Sequence, residues 1–479
     1  MCPRGYWHRA DRAAGGLAAD LVLYLFSAGF AAVTAATSTL LPHRAWGGVA
    51  AAGFLVAAVA VLGQLLLRHC RPGSRLAGTA ARGVLTALTW AATALLPLVR
   101  QAAERAGGRL DRAQEEVLVI EHAGARLLDT GTPYLGRDAI AALPGGEQLL
   151  GYTPYQPGMA LFGLPRALAG TAWWTDARVW FAVATAVALG LAVLLLRRPS
   201  SAGDTSADDT GAGGDTGGAG PATAGQPSGQ PSGPVPAWWR QRAAARDAAL
   251  VRAVQLATVL PVCALTLATG GDDLPVLALC LLALACAARD RPVAAGLAVG
   301  LAAALKLFAW PVALVLLVHA VARGRRTGLR LAAGALGLPI VALVPAQLVD
   351  SAALVENVLR FPLGHGLVSS PAASPFPGYL IAQTLPAGRV VAAALLVAAG
   401  ALIAVLLVRR PPRTAEAAAL FCGYGLLAAI LLMPSTRFGY LLYPVALLGW
   451  VPALRLAAPA GAPAPASARP NSPTAATIP

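Results

Sequence analysis

Two adjacent glutamates, Glu115 and Glu116, open the stretch "EEVLVIEHAGARLLDTGTPY", and a lysine, Lys306, interrupts the apolar stretch "GLAVGLAAALKLFAWP". An ionised carboxylate within hydrogen-bond reach of a hydroxyl can take its proton, and a fixed cation can hold an anionic group. Arg437 in "MPSTRFGY" is a second such cation, and Asp272 and Asp273 in "TGGDDLP" add two carboxylates. Each residue also has a plainer use. Acidic residues favour the first turn of any helix, and an arginine at a helix end is common. Asp273, followed by Leu274 and Pro275, reads as an N-cap with proline in the first helical turn, which leaves Asp272 the freer carboxylate. Asp272 can help bind a divalent ion, the one cofactor in view, but two aspartates without other placed ligands do not make a metal site and none is assigned. Tyr134, Tyr152, Tyr155 and Trp173 offer flat faces that can stack on a sugar or sit among lipid headgroups. Arg360 and His365 in "LRFPLGHG" are polar residues of a kind that loops hold routinely.

The elements that must position these residues are membrane helices. The chain has 479 residues, of which 57% are hydrophobic and only 12% charged, and a mean hydropathy of +0.63. Its apolar residues come in blocks of about 20, the length that crosses a hydrocarbon core as helix, without the period-2 alternation of a membrane barrel. The fold class is therefore all-α and polytopic. About ten spans are expected: Leu17–Leu41, Ala50–Leu67, Val84–Val99, Val179–Leu196, Ala248–Ala268, Leu274–Ala288, Leu329–Val349, Val390–Val408, Ala415–Met433 and Phe438–Ala457. Pro292–Arg323 is too short for two crossings and long for one, so it reads as a hairpin of two short helices. Its midpoint is "KLFAWP", where Pro311 removes a helix hydrogen bond. A lysine there costs about 2.5–3.5 kcal/mol, which is tolerated where it has a partner or a function.

The net charge of +15 does not indicate nucleic acid, because the arginines cluster at the ends of apolar blocks. Placing those clusters inside makes both termini cytoplasmic and puts two long loops outside, residues 101–178 and 350–389. Within the first, the spacing of Glu121, Ala125 and Leu128 predicts a helix over Ala113–Leu128, which can lie along the membrane surface. Residues 1–198 form an amino-terminal membrane half carrying that loop. A low-complexity cytoplasmic linker follows at 199–247, then a second membrane half at 248–457 and a tail at 458–479. The six cysteines show neither CxxC spacing nor paired histidines, so no disulfide framework or zinc site is indicated.

The order of a carboxylate, the short helix "IEHAGARLLDTG", then "PY", then "YTPYQP" running into "LFGLP" resembles the first outer loop of the GT-C superfamily, most closely glycosyltransferase family 87. "GGDDLPVLALCLLALACAARDRPVAAGLAVGLAAALKLFAWP" and "STRFGYLLYP" are similar to later parts of that family's pattern. The resemblance implies a multi-pass enzyme of the plasma membrane that moves a hexose, mannose above all, from a polyprenyl-phosphate donor to an extracytoplasmic lipid or glycan. A lipid donor follows because activated sugar nucleotides are not available outside a bacterial cell. Family members usually carry an aspartate after their first helix. Here the matching place holds Glu115 and Glu116, and Glu116 is the first choice of base, Glu115 the second and Asp129 the third. Lys306, Arg437, Asp272, Tyr134, Tyr155 and His365 are the expected substrate contacts. Two other readings stand beside this one, a secondary transporter or lipid flippase and an inactive GT-C-like scaffold. A transporter would depend on groups inside its helices and would dispense with the outer glutamates.

Overall fold

The computed structural model describes residues 13–198 and 237–457, all-α throughout apart from loops and one isolated bridge between Ala373 and Thr436. The helices that matter here are α1 (Leu17–Thr37), α2 (Leu41–Cys70), α3 (Thr79–Ala106), α4 (Glu115–Thr130), α5 (Ala177–Arg197), α6 (Ala237–Thr258), α7 (Pro261–Thr269), α8 (Asp273–Ala288), α9 (Pro292–Leu305), α10 (Trp310–Ala322), α11 (Arg325–Val349), α12 (Gly388–Arg409), α13 (Ala415–Leu432) and α14 (Leu442–Ala457). Among the described residues eight helices are long and apolar enough to cross a membrane, and the bent pair α6 and α7 makes a ninth. The tenth expected span is α8, which has only 16 residues.

Several boundaries differ from the sequence expectation, each for a local reason. The stretch assigned to a linker up to residue 247 is helical from Ala237 onward; its remainder, 199–236, lies outside the described residues, as does the tail. The span expected as one helix from Ala248 to Ala268 bends by 47° at Thr258–Pro261. Pro261 takes the first turn of α7, where its missing N–H is not needed. The first long loop begins later than residue 101, because α3 runs on to Ala106 through a π-helical turn at Ala91–Leu95. That turn is held by the Trp46 indole, which donates to the Thr93 carbonyl at 2.8 Å.

The hairpin is present, and its break lies at Lys306, the first residue of the expected midpoint "KLFAWP". Lys306 is extended (φ −153°, ψ 144°), while Pro311 sits harmlessly in the first turn of α10. The Leu305 carbonyl is kept satisfied there by the Gln156 backbone N–H at 3.1 Å, as irregular backbone among membrane helices requires. So the first long loop docks on the break itself.

Small residues let these helices approach closely. A Cβ added at Gly296 would lie 2.2 Å from the Leu331 carbonyl oxygen, and one at Gly300 would lie 2.1 Å from that of Gly334. This is a small-xxx-small contact between α9 and α11. Because α9 carries Lys306 at its end, the contact also sets where that lysine sits. Gly300→Leu should destabilise the protein by about 1–3 kcal/mol or prevent folding, measured as thermal denaturation in detergent; an unchanged melting temperature would disprove this packing.

Buried ion pairs fix the first loop. Arg105, at the end of α3, binds Glu121 of α4 at 2.6 Å and Asp176, the N-cap of α5, at 3.0 Å. Arg178 closes on Asp176 at 2.8 Å, and all four residues are buried. Burial raises the Asp176 carboxyl, but the Arg178 and Arg105 guanidiniums outweigh it and hold the group well below the usual carboxylate range. At the other end of the bundle Asp20 of α1 binds Arg82 of α3 at 2.6 Å and Arg252 of α6 at 2.9 Å, tying the two membrane halves together.

Candidate active site

Four carboxylates and two cations converge on one cavity of about 480 Å³, lined by Glu115, Glu116, Asp272, Asp273, Lys306 and Arg437 among others. Helix ends bring them there. Glu115 and Glu116 form the first turn of α4, where exposed amide N–H groups and the helix dipole favour negative charge. Asp272 immediately precedes α8, and Asp273 is its first residue. Lys306 sits at the hairpin break, and Arg437 in the turn before α14.

The lysine is not free. Its Nζ lies 2.7 Å from Asp272 Oδ2 and 2.6 Å from Asp273 Oδ1, and the Tyr443 hydroxyl donates to the same Asp273 oxygen at 2.8 Å. The rings of Tyr155 and Tyr440 face it at 5.3 and 5.6 Å, within cation–π range. Two sequence readings are thereby corrected. Asp272, not Asp273, takes the N-cap position of α8, and it makes no side-chain capping bond because its carboxylate is turned to the lysine. Asp272 is equally engaged rather than freer. The carboxylates that offset the charge of Lys306 follow a turn of "TGG", in which Gly271 adopts a left-handed φ of 87°. A Cβ there would strike the Phe181 ring at 2.7 Å, so the turn that aims both aspartates needs glycine.

The second cation is paired differently. Arg437 makes an ion pair with Glu116, and its side chain remains 35% exposed, against 9% for that of Lys306. Glu115 has no ion pair within 4 Å among the described residues. Partial burial pushes its carboxyl up, the neighbouring Glu116 charge adds to this, and Arg437 partly offsets it. The α4 turn rests on the glycine loop: the Gln114 N–H donates to the Thr269 carbonyl at 3.1 Å, and a Cβ at Gly270 would come 2.8 Å from Gln114 Oε1 and 3.8 Å from Glu116 Oε2.

Not every expected contact reaches the cavity. Tyr155 lines it, but Tyr134 does not: its buried hydroxyl donates to the Tyr155 carbonyl at 2.8 Å, so it positions Tyr155 from behind. His365 is exposed and off the cavity, bonded through its backbone: its carbonyl accepts from Arg137 and its N–H donates to the Arg360 carbonyl. Asp129 is exposed at the far end of α4, Arg360 reaches only Glu356 at 3.5 Å, and Trp173 is 47% exposed. In loops without regular periodicity, nothing in residue type marks which side chain turns inward. Residues that the sequence reading passed over do line the cavity, namely His43 at the start of α2, Gln114, Thr269 and Tyr440. The signal available for Tyr440 was its place in "STRFGYLLYP", three residues from Arg437; His43 and Thr269 carried none. A further network clamps the two long loops. Tyr152 stacks on Phe361 with centroids 4.2 Å apart and donates to buried Glu356 at 2.9 Å, which also binds Arg137 at 2.8 Å.

A family model described as glycosyltransferase family 87 matches residues 152–435, more than half of the chain. The chain belongs to glycosyltransferase family 87. It is therefore a multi-pass membrane glycosyltransferase. The family 87 match takes in Tyr155, Asp272, Asp273 and Lys306, begins after the α4 glutamates and ends two residues before Arg437. No curated protein and no solved structure matches the chain.

Proposed function

We propose that this family 87 enzyme is of the GT-C type and moves a hexose, mannose above all, from a polyprenyl-phosphate sugar to a lipid or glycan hydroxyl at the outer face of the plasma membrane, with both termini cytoplasmic. The observation that carries the reading is the cavity between helix ends, where carboxylates stand beside an accessible arginine. In the proposed reaction the acceptor oxygen attacks the anomeric carbon, the bond from that carbon to the phosphate oxygen breaks, and its electron pair leaves with the lipid phosphate. Attack from the opposite side inverts the anomeric centre. Glu116 takes the acceptor proton, while Arg437 holds the departing phosphate. Lys306, already bound by two aspartates, serves the site as a structural cation that fixes the "TGGDDLP" loop and the hairpin break. Apolar walls from Phe308 and Phe361 and the rings of Tyr155 and Tyr440 give a sugar surfaces to pack on.

The test is transfer of radiolabelled mannose from polyprenyl-phosphate mannose into lipid or glycan by membranes containing this chain. Transfer absent from membranes with the Glu115/Glu116 double glutamine variant supports the reading. Failure with mannose and other polyprenyl-linked sugars, across a range of acceptors, would overturn it.

Transfer by Glu115→Gln separates the two glutamates: with Glu116 as the base this variant should keep transferring, whereas a loss of transfer as deep as that of Glu116→Gln would pass the role of base to Glu115.

A further inference from the structure

Among the lining residues four carboxylates face two cations, and both cations are already paired. A phosphate entering this space must therefore break an ion pair. The lysine pair is the wrong one to open: Lys306 is enclosed, bound by two aspartates and covered by two tyrosine rings, and separating it would leave uncompensated charge in a buried place. The arginine pair has one carboxylate, and its partners are 35% and 16% exposed. A guanidinium also matches a phosphate bidentately, so an incoming phosphate can replace a carboxylate on it without loss of hydrogen bonds.

Resting on the lipid-phosphate donor proposed above, we infer that the Glu116–Arg437 pair is a latch that the donor opens. The donor phosphate takes the guanidinium, and the displaced carboxylate becomes the base. While the cavity is empty, the ion pair with Arg437 occupies the Glu116 carboxylate and keeps it from the acceptor hydroxyl. Once the phosphate binds, Glu116 faces Glu115 on its own helix and the phosphate in front, with Tyr155 and His43 as its other polar neighbours. Released from the guanidinium, the carboxylate is free to accept the proton of an acceptor hydroxyl. A base that appears only when the donor is seated gives an obligatory order, donor before acceptor activation. Nothing in the step needs a further reactant: the carboxylate leaves the guanidinium, the phosphate replaces it, and the carboxylate later receives the acceptor proton.

The experiment is equilibrium binding of a polyprenyl monophosphate carrying no sugar to the purified full chain in detergent. Removing the competing carboxylate should tighten binding, so Glu116→Gln should bind about tenfold more tightly than wild type, equivalent to about 1.4 kcal/mol. Glu116→Ala should change in the same direction, and Arg437→Gln should lose most of the affinity. Glu115→Gln removes the same charge from the same turn without freeing the arginine, and should gain much less. Weaker binding by both Glu116 variants would mean that Glu116 orients Arg437 for phosphate, which overturns the latch. Equal gains from Glu115→Gln and Glu116→Gln would mean that only bulk charge matters, which overturns it too. Absence of binding by the wild type would instead sink the lipid-phosphate donor and the latch together.

Discussion

Glu116→Gln is expected to lower sugar transfer by about 10²–10⁴-fold, the usual share of a positioned general base, with the yield of folded protein unchanged. Glutamine has nearly the shape of glutamate, and its carbonyl oxygen can still accept from Arg437, so the α4 turn and its contact with the glycine loop survive. What is lost is the ability to receive a proton. The loss should therefore appear in kcat, whereas KM for the donor should fall, because the carboxylate no longer competes for the arginine. A Glu116→Gln enzyme within threefold of wild type would remove Glu116 from the chemistry and pass the role to Glu115, the cavity's other α4 carboxylate.

The second large effect is on stability rather than rate. Lys306→Met should destabilise the protein by about 3–5 kcal/mol, the cost of leaving buried partners without their counter-charge. Asp272 and Asp273 would then stand side by side without an ionic partner. Detergent-solubilised Lys306→Met should run as aggregate in size-exclusion chromatography. Adding Asp272→Asn and Asp273→Asn should restore a monodisperse peak, since neutral amides remove the repulsion. A stable Lys306→Met single variant that lost only donor affinity would return the lysine to the phosphate and make the aspartates incidental.

The contrast between these two sites reflects what could be read along the chain. Lys306 was conspicuous because a charge within an apolar stretch is costly, so its importance was legible. Its partners were not, because Asp272 and Asp273 lie more than 30 residues away and resemble an ordinary helix start. Local rules favoured a cap at Asp273, and the tertiary ion pair overrode them. Arg437 and Glu116 show the same limit over a greater distance, being 321 residues apart. Hydropathy located the hairpin, and the break fell at Lys306 because the Gln156 N–H meets the Leu305 carbonyl there. In the loops, Tyr134 and Tyr155 have the same residue type and similar proline-rich neighbours, and only the path of the backbone puts one in the cavity and the other behind it.

The sequence by itself determined the class of the protein, the approximate position of most of its membrane helices, the hairpin and the family. These follow from short-range regularities: the length of an apolar block, the position of prolines, and the order of small motifs along the chain. Only the tertiary structure decided which charges pair, which aromatic rings face the cavity, and which cation remains accessible. Those outcomes depend on burial and on contacts between residues far apart in sequence, where the cost of an unpaired charge among membrane helices selects the partner.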